Sequence, residues 1–316
     1  MTADLKKLLN ESPKNWRQWG QNDEIGALNY LKNDDILNAI QSIKYGKTFT
    51  LGLEMGCKKG DPAYPSSAEF SKFTVQDKST YDVEKITSSK GGLQFTEEVI
   101  LTSTHGTTHC DALGHTWFDD KMYNGYSSKL SINGLDKLSI KPIAEKGIVG
   151  RAVLLDIARY KNLDYLPMGY HITLEDILET AKYQNTEIKQ KDIILIRTGI
   201  FKLFYEKGSS EYFKNFNEPG LTYEMNLVKW FDKMEIPVYG TDTITNEQMI
   251  SSLHEEELSL HASLCRNLGI VFIESLDLEE YSIDCEKDKK YDGLFISSPL
   301  KINGASASPI NPIIIK

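Results

Sequence analysis

Apolar and polar positions alternate so as to divide the chain into short apolar runs separated by amphipathic stretches. Thr48–Met55, Glu97–Thr104, Ile148–Leu155, Asp192–Thr198, Ile236–Gly240, Ile270–Glu274 and Leu294–Ser298 are rich in β-branched and aliphatic residues, have strand length and are flanked by turn residues. Between several of them a helical spacing predicts helices over Asp34–Ile43, Leu174–Tyr183, Tyr223–Met234 and Leu258–Leu268. Thr173 stands three residues before Asp176, the signature of a capping box at the start of the second helix. Some strands follow one another directly and others are separated by helices. That mixture predicts an α/β (or α+β) protein rather than a strictly alternating doubly wound sheet.

The remaining segments set the domain organisation. The polar stretch Cys57–Lys90 reads as a long loop able to cover a site, and Asp284–Asp292 as a charged surface segment. The first forty-odd residues place Trp16, Trp19 and Leu28 among many polar groups, too few apolar side chains for a separate core. Residues 1–45 are therefore expected to form an arm that packs on the body or on a partner subunit, and residues 46–316 a single domain. No internal repeat is visible.

Composition narrows the function classes. With 316 residues, 40% of them hydrophobic, the chain can bury a substantial core without disulfides. Thirty-six Lys and Arg against forty-five Asp and Glu leave a net charge of -9, which disfavours nucleic acid and anionic membranes as partners. No secretory signal pattern or membrane-length apolar run is present, so a cytoplasmic location is expected. Cys57, Cys110, Cys265 and Cys285 are scattered and form no C-x-x-C pair, which implies reduced thiols and no zinc-finger-like site.

Histidine changes the picture. Three of the six, His105, His109 and His115, fall within eleven residues and bracket Asp111. They follow a predicted strand, and Gly106, Thr107 and Thr108 disfavour helix there, so the side chains would meet at the rim of a sheet. Any one of them alone reads as a loop residue or a hydrogen-bonded core group. Together, imidazole nitrogens and a carboxylate suit Zn(II), Mn(II) or Fe(II), and three protein ligands leave positions open for water and substrate. His171 and His254 stand alone and read as surface or turn residues. His115, four residues beyond Asp111, is the best placed general acid/base.

The run His105-Gly106-Thr107-Thr108-His109-Cys110-Asp111-Ala112-Leu113-Gly114-His115 resembles the H-x-G-T-H-x-D-x-x-x-H signature of the cyclase family of metal-dependent hydrolases, which includes bacterial kynurenine formamidase and isatin hydrolase. The likeness continues through Trp117–Gly125 and upstream over Trp19–Asn29. Farther on, Asp156–Tyr160, Ile196–Gly199, Pro299–Ile302 and Ser308–Pro312 resemble the longer branch of that family, so nearly the whole chain is covered. The resemblance implies a swivelling β/β/α fold with a central mixed sheet flanked by helices, and a homodimer or homotetramer. It implies a divalent metal, Mn(II) or Zn(II), bound by His105, His109 and Asp111, with His261 and Glu274 completing the site.

The implied reaction is hydrolysis of an amide, formamide or lactone bond in a small cyclic or aromatic substrate by metal-activated water. Trp117, Phe118, Tyr123 and Tyr126 follow the motif closely and either wall a pocket for a flat or cyclic substrate or pack in the core. Without the resemblance, His261 shares a stripe with Leu258, Leu264, Cys265 and Leu268 and reads as a buried core histidine. Glu274 ends an apolar strand, where a carboxylate must find a partner or a metal. A metal-dependent lyase or cyclase, and a non-catalytic metal or small-molecule binding protein, are the competing readings. Thr107 stands where the family signature has glycine, and a side chain is unwelcome if that turn needs unusual backbone angles.

Overall fold

The computed structural model describes residues 5–83 and 91–316. In chain order its strands are β1 (Thr48–Thr50), β2 (Ser71–Gln76), β3 (Glu97–Leu101), β4 (His109–Asp111), β5 (Ile148–Asp156), β6 (His171–Ile172), β7 (Ile193–Arg197), β8 (Gly220–Leu221), β9 (Val238–Thr241), β10 (Val271–Glu274), β11 (Asp292–Ser297), β12 (Ala307–Pro309) and β13 (Ile313–Ile315). Nine of them build one mixed sheet in the order β1-β13-β11-β5-β7-β9-β10-β4-β12. The centre, β5-β7-β9-β10, is parallel, and the remaining pairings are antiparallel. Helices flank this sheet, which is why β7, β9 and β10 are buried along their whole length and read as continuous apolar runs.

The helix Leu174–Tyr183 forms where its spacing places it, and its capping box is present: Asp176 N donates to Thr173 Oγ1 at 3.1 Å and Thr173 N donates to Asp176 Oδ2 at 3.0 Å. The helix expected over Leu258–Leu268 is a π-helix across His261–Asn267 with every residue buried. Such wide turns are uncommon and recur at functional sites. The strand expected over Thr48–Met55 stops at Thr50, and Gly52 makes only an isolated bridge to Leu276.

One expectation is corrected. The segment Cys57–Lys90 is not one loop: it contains β2 and the helix Lys78–Val83, and β2 pairs antiparallel with β3. Residues 84–90 of that segment lie outside the described residues. The pair is a projecting ribbon whose Phe73, Val75, Val99 and Leu101 are more than half exposed, so no buried face imprints an in-out alternation on the sequence. The charged segment Asp284–Asp292 comprises the end of helix Glu279–Asp288, a left-handed Lys289 and the start of β11.

The N-terminal arm packs against the end of the π-helix. Trp16 Nε1 donates to Arg266 O at 2.9 Å, Asn267 Nδ2 to Leu9 O at 3.3 Å, and Ala27 N to Gly269 O at 2.8 Å. Gly26 makes this approach possible: its φ is +54°, and a Cβ there would lie 2.8 Å from Gly269 Cα. No helix among the described residues is long and apolar enough to cross a membrane.

Candidate metal centre

Strand geometry alone gathers three of the expected ligands. His109 and Asp111 are two residues apart on β4, so they share one face of the sheet, while Cys110 points into the core on the other. Glu274 on β10 is paired directly with His109, which puts its carboxylate on the same face. His261 reaches this face from the π-helix, its ring lying 4.8 Å from that of Phe272, two residues before Glu274 on the same strand. His105 comes from the turn just before β4.

The polar atoms converge. His105 Nε2 lies 3.4 Å from Asp111 Oδ1, His109 Nε2 lies 3.4 Å from Asp111 Oδ1 and 3.2 Å from Glu274 Oε2, and His261 Nε2 lies 3.4 Å from Glu274 Oε1. Ligands held at about 2.1 Å around a tetrahedral ion lie about 3.4 Å from one another. Of these atoms, His105 Nε2, His109 Nε2, both Asp111 oxygens and Glu274 Oε1 are buried without a hydrogen-bond partner. Buried polar atoms left unpaired are costly and therefore uncommon, so this concentration at one point fits a cation between them.

Each of these histidines is also turned by a contact at its other nitrogen. His105 Nδ1 lies 3.1 Å from Thr104 Oγ1, His109 Nδ1 lies 2.6 Å from Thr107 O, and His261 Nδ1 lies 2.7 Å from Glu247 Oε1. Glu247 was not found from sequence: it stands fourteen residues before His261 with no motif around it, and only the fold brings them together. Thr107 does not have a left-handed backbone, so the turn accepts threonine without strain, and its carbonyl is the group that orients His109.

Electrostatics follow from burial and neighbours. Burial lowers His105 to about 4, leaving its nitrogen free to bind a cation at neutral pH. For His109 burial also acts downward, but the adjacent carboxylates of Asp111 and Glu274, 3.4 and 3.2 Å from its Nε2, outweigh it and raise the group to about 10. His261 is raised for the same reason, through Asp111, Glu247 and Glu274. Burial would raise Asp111, yet the surrounding His115, His109 and His261 hold its carboxyl well below the usual range. His115 is lowered by burial, and its ring centroid is 4.3 Å from that of His105.

His115 and His261 border an open recess of about 280 Å³, walled by Leu5, Trp117, Phe118 and Leu258 among others. Arg266 braces this wall, donating to Phe118 O at 3.0 Å and Lys121 O at 2.8 Å. A larger cavity of about 630 Å³ lies under residues 56–70 and meets the motif only at Gly106. Tyr123 packs in the core instead of lining this recess: it is fully buried and donates to Asp23 Oδ2 at 2.9 Å, locking the arm to the core. His171 faces Glu224 at 3.3 Å, and His254 Nε2 lies 3.1 Å from Tyr223 O, both apart from the centre.

A mixed sheet carrying a buried His/Asp/Glu cluster at one face defines an α/β protein with a candidate divalent-metal centre. The chain belongs to the putative cyclase family, whose model matches residues 40–248. A crystal structure described as a novel cyclase is 30% identical, with 96% of this chain and 99% of that one covered and a TM-score of 0.86. Isatin hydrolase A from Labrenzia aggregata, bound to benzyl benzoate, is 19% identical, with 89% of this chain and 97% of that one covered and a TM-score of 0.60. An isatin hydrolase bound to the product analogue thioisatinate is 16% identical over 90% of this chain and 98% of its own, with a TM-score of 0.59. No curated protein matches the sequence.

Proposed function

We propose that this chain is a metal-dependent hydrolase that opens or cleaves an amide, formamide or lactone bond in a small cyclic or aromatic substrate. The observation that carries the reading is the convergence of buried, unpartnered nitrogen and oxygen atoms from His105, His109, Asp111 and Glu274. The donors fit a divalent ion such as Zn(II) or Mn(II): imidazoles and carboxylates, with no thiolate among them. His105, His109, Asp111, His261 and Glu274 would hold it. Such an ion polarises a carbonyl and makes water a competent nucleophile near neutral pH.

The side chains around it supply the rest. His115, kept neutral by burial, sits at the mouth of the recess, where it can take a proton from water and pass it to the departing nitrogen or oxygen. Trp117 and Phe118 offer flat apolar surface beside it, which suits a planar substrate. The isatin hydrolases of the same fold support the choice of bond without fixing the substrate.

The test is to strip the protein of metal, reload it with Mn(II) or Zn(II), and offer lactones, cyclic imides and N-formyl arylamines. Products heavier than substrate by one water, formed only by the reloaded protein, are expected. Failure to take up either ion would sink the metal reading. Ion uptake with products of unchanged or lower mass would replace hydrolysis by a lyase or cyclase reaction.

A further inference from the structure

Glu247 is fully buried, and both of its carboxylate oxygens are engaged by the segment that carries His261. Oε1 accepts from His261 N at 2.7 Å and lies 2.7 Å from His261 Nδ1. Oε2 accepts from Leu260 N at 2.7 Å and lies 3.5 Å from Ser259 Oγ. The backbone behind this carboxylate is itself fixed. Thr245 Oγ1 donates to Glu247 O at 2.7 Å, Gln248 N donates to Leu221 O at 2.8 Å, and Gly220 packs so closely that a Cβ there would lie 2.8 Å from Glu247 Cα.

A carboxylate at Nδ1 holds the proton on that nitrogen, so the lone pair stands at Nε2, on the side of Asp111 and Glu274. It also makes Nε2 a stronger donor than a hydroxyl or a peptide carbonyl partner would. Thr104 and Thr107 provide those weaker partners to His105 and His109, so Glu247 is the charged orienter among the three. We propose that Glu247 is the positioning residue of the metal centre, aiming His261 Nε2 and setting how tightly the Glu274 side of the site holds a divalent cation. The proposal rests on the metal reading above and adds a residue to it. The plainer role, capping the backbone N–H groups of Leu260 and His261, would hold the helix in place without acting on the imidazole.

A double-mutant cycle separates the two roles. Zn(II) affinity is measured by chelator competition, and Co(II) absorption is recorded, for the full-length protein, Glu247→Gln, His261→Ala and the double variant. With the imidazole as its route of action, Glu247→Gln weakens Zn(II) binding by about 10–100-fold and shifts the Co(II) bands. In the His261→Ala background the same substitution then costs nothing further. An unchanged affinity, or an equal loss in both backgrounds, overturns the proposal in favour of capping. A wild-type protein that binds no ion overturns the metal reading itself, which is a different result. If the Gln variant does not fold, Glu247→Asp keeps the charge but falls one methylene short of Nδ1; it should show the same loss, and wild-type affinity there overturns the proposal.

Discussion

At the residue scale, the candidate site divides into what a contiguous motif can announce and what only contact in space creates. His105, His109, Asp111 and His115 were legible because they lie within eleven residues, and the turn and strand that carry them need no distant partner to bring them together. His261 and Glu274 were legible only through the family likeness, since an apolar helix stripe and an apolar strand hide their polar role. Glu247 was not legible at all, and the sequence left Tyr123 open between pocket and core because an aromatic residue after a motif serves a core as readily as a pocket. The roles within the motif are separable by substitution. Asp111→Ala should abolish ion uptake, because the two oxygens of Asp111 lie within 3.4–3.8 Å of Nε2 of His105, His109 and His261, the other proposed ligands. His115→Ala should keep the ion, measured by elemental mass spectrometry, while kcat falls by about 10²–10⁴. Loss of the ion from His115→Ala would make His115 a ligand, a placement its closeness to His105 and Asp111 would accommodate.

At the element scale, β7, β9 and β10 were legible because burial on both faces leaves unbroken apolar runs, whereas the three-residue strands β4, β12 and β13 of the same sheet were not read as strands, being too short to show a pattern. The ribbon of β2 and β3 was half missed because exposure erases that signal, and the π-turn at His261 has no sequence pattern distinct from an ordinary helix. From the sequence, packing of the arm on the body and packing on a partner subunit stood as open alternatives; in the structure its backbone meets the end of the π-helix. That docking depends on two backbones meeting at Gly26 and Gly269. Gly26→Ala places a Cβ against Gly269 at a left-handed φ, and should destabilise the protein by about 1–3 kcal/mol or release the arm. Denaturant unfolding, with Trp16 emission as a local probe, reads both outcomes. Thr173→Ala is the contrast: loss of the capping box should cost about 1 kcal/mol and leave ion uptake untouched, because that helix carries none of the proposed ligands. Equal stability of Gly26→Ala and wild type would mean the arm is not held through this contact.

At the scale of the whole molecule, the proposed centre would tie folding, protons and cation into one equilibrium. In the metal-free protein, burial opposes charge on His109, but Asp111 and Glu274 outweigh it and raise the group to about 10; His261 is raised for the same kind of reason. An unfolded histidine titrates at about 6.5. The native state therefore binds more protons than the unfolded one between these limits, and the stability this gives is fully present below about pH 6.5 and lost as pH rises toward 10. On the proposed reading, a divalent ion would take over the task of balancing the two carboxylates and would displace those protons as it enters. Ion uptake by the stripped protein near pH 8 should release on the order of two protons, read with an indicator dye in weak buffer. His105, lowered to about 4 by burial, contributes none of them. The gap between the melting temperatures of loaded and stripped protein should accordingly widen from pH 7 to pH 9, since the stripped form weakens over that range while the loaded form does not. A gap that stays constant, with no protons released, would show that the carboxylates are balanced some other way and that the histidines are already neutral before the ion arrives.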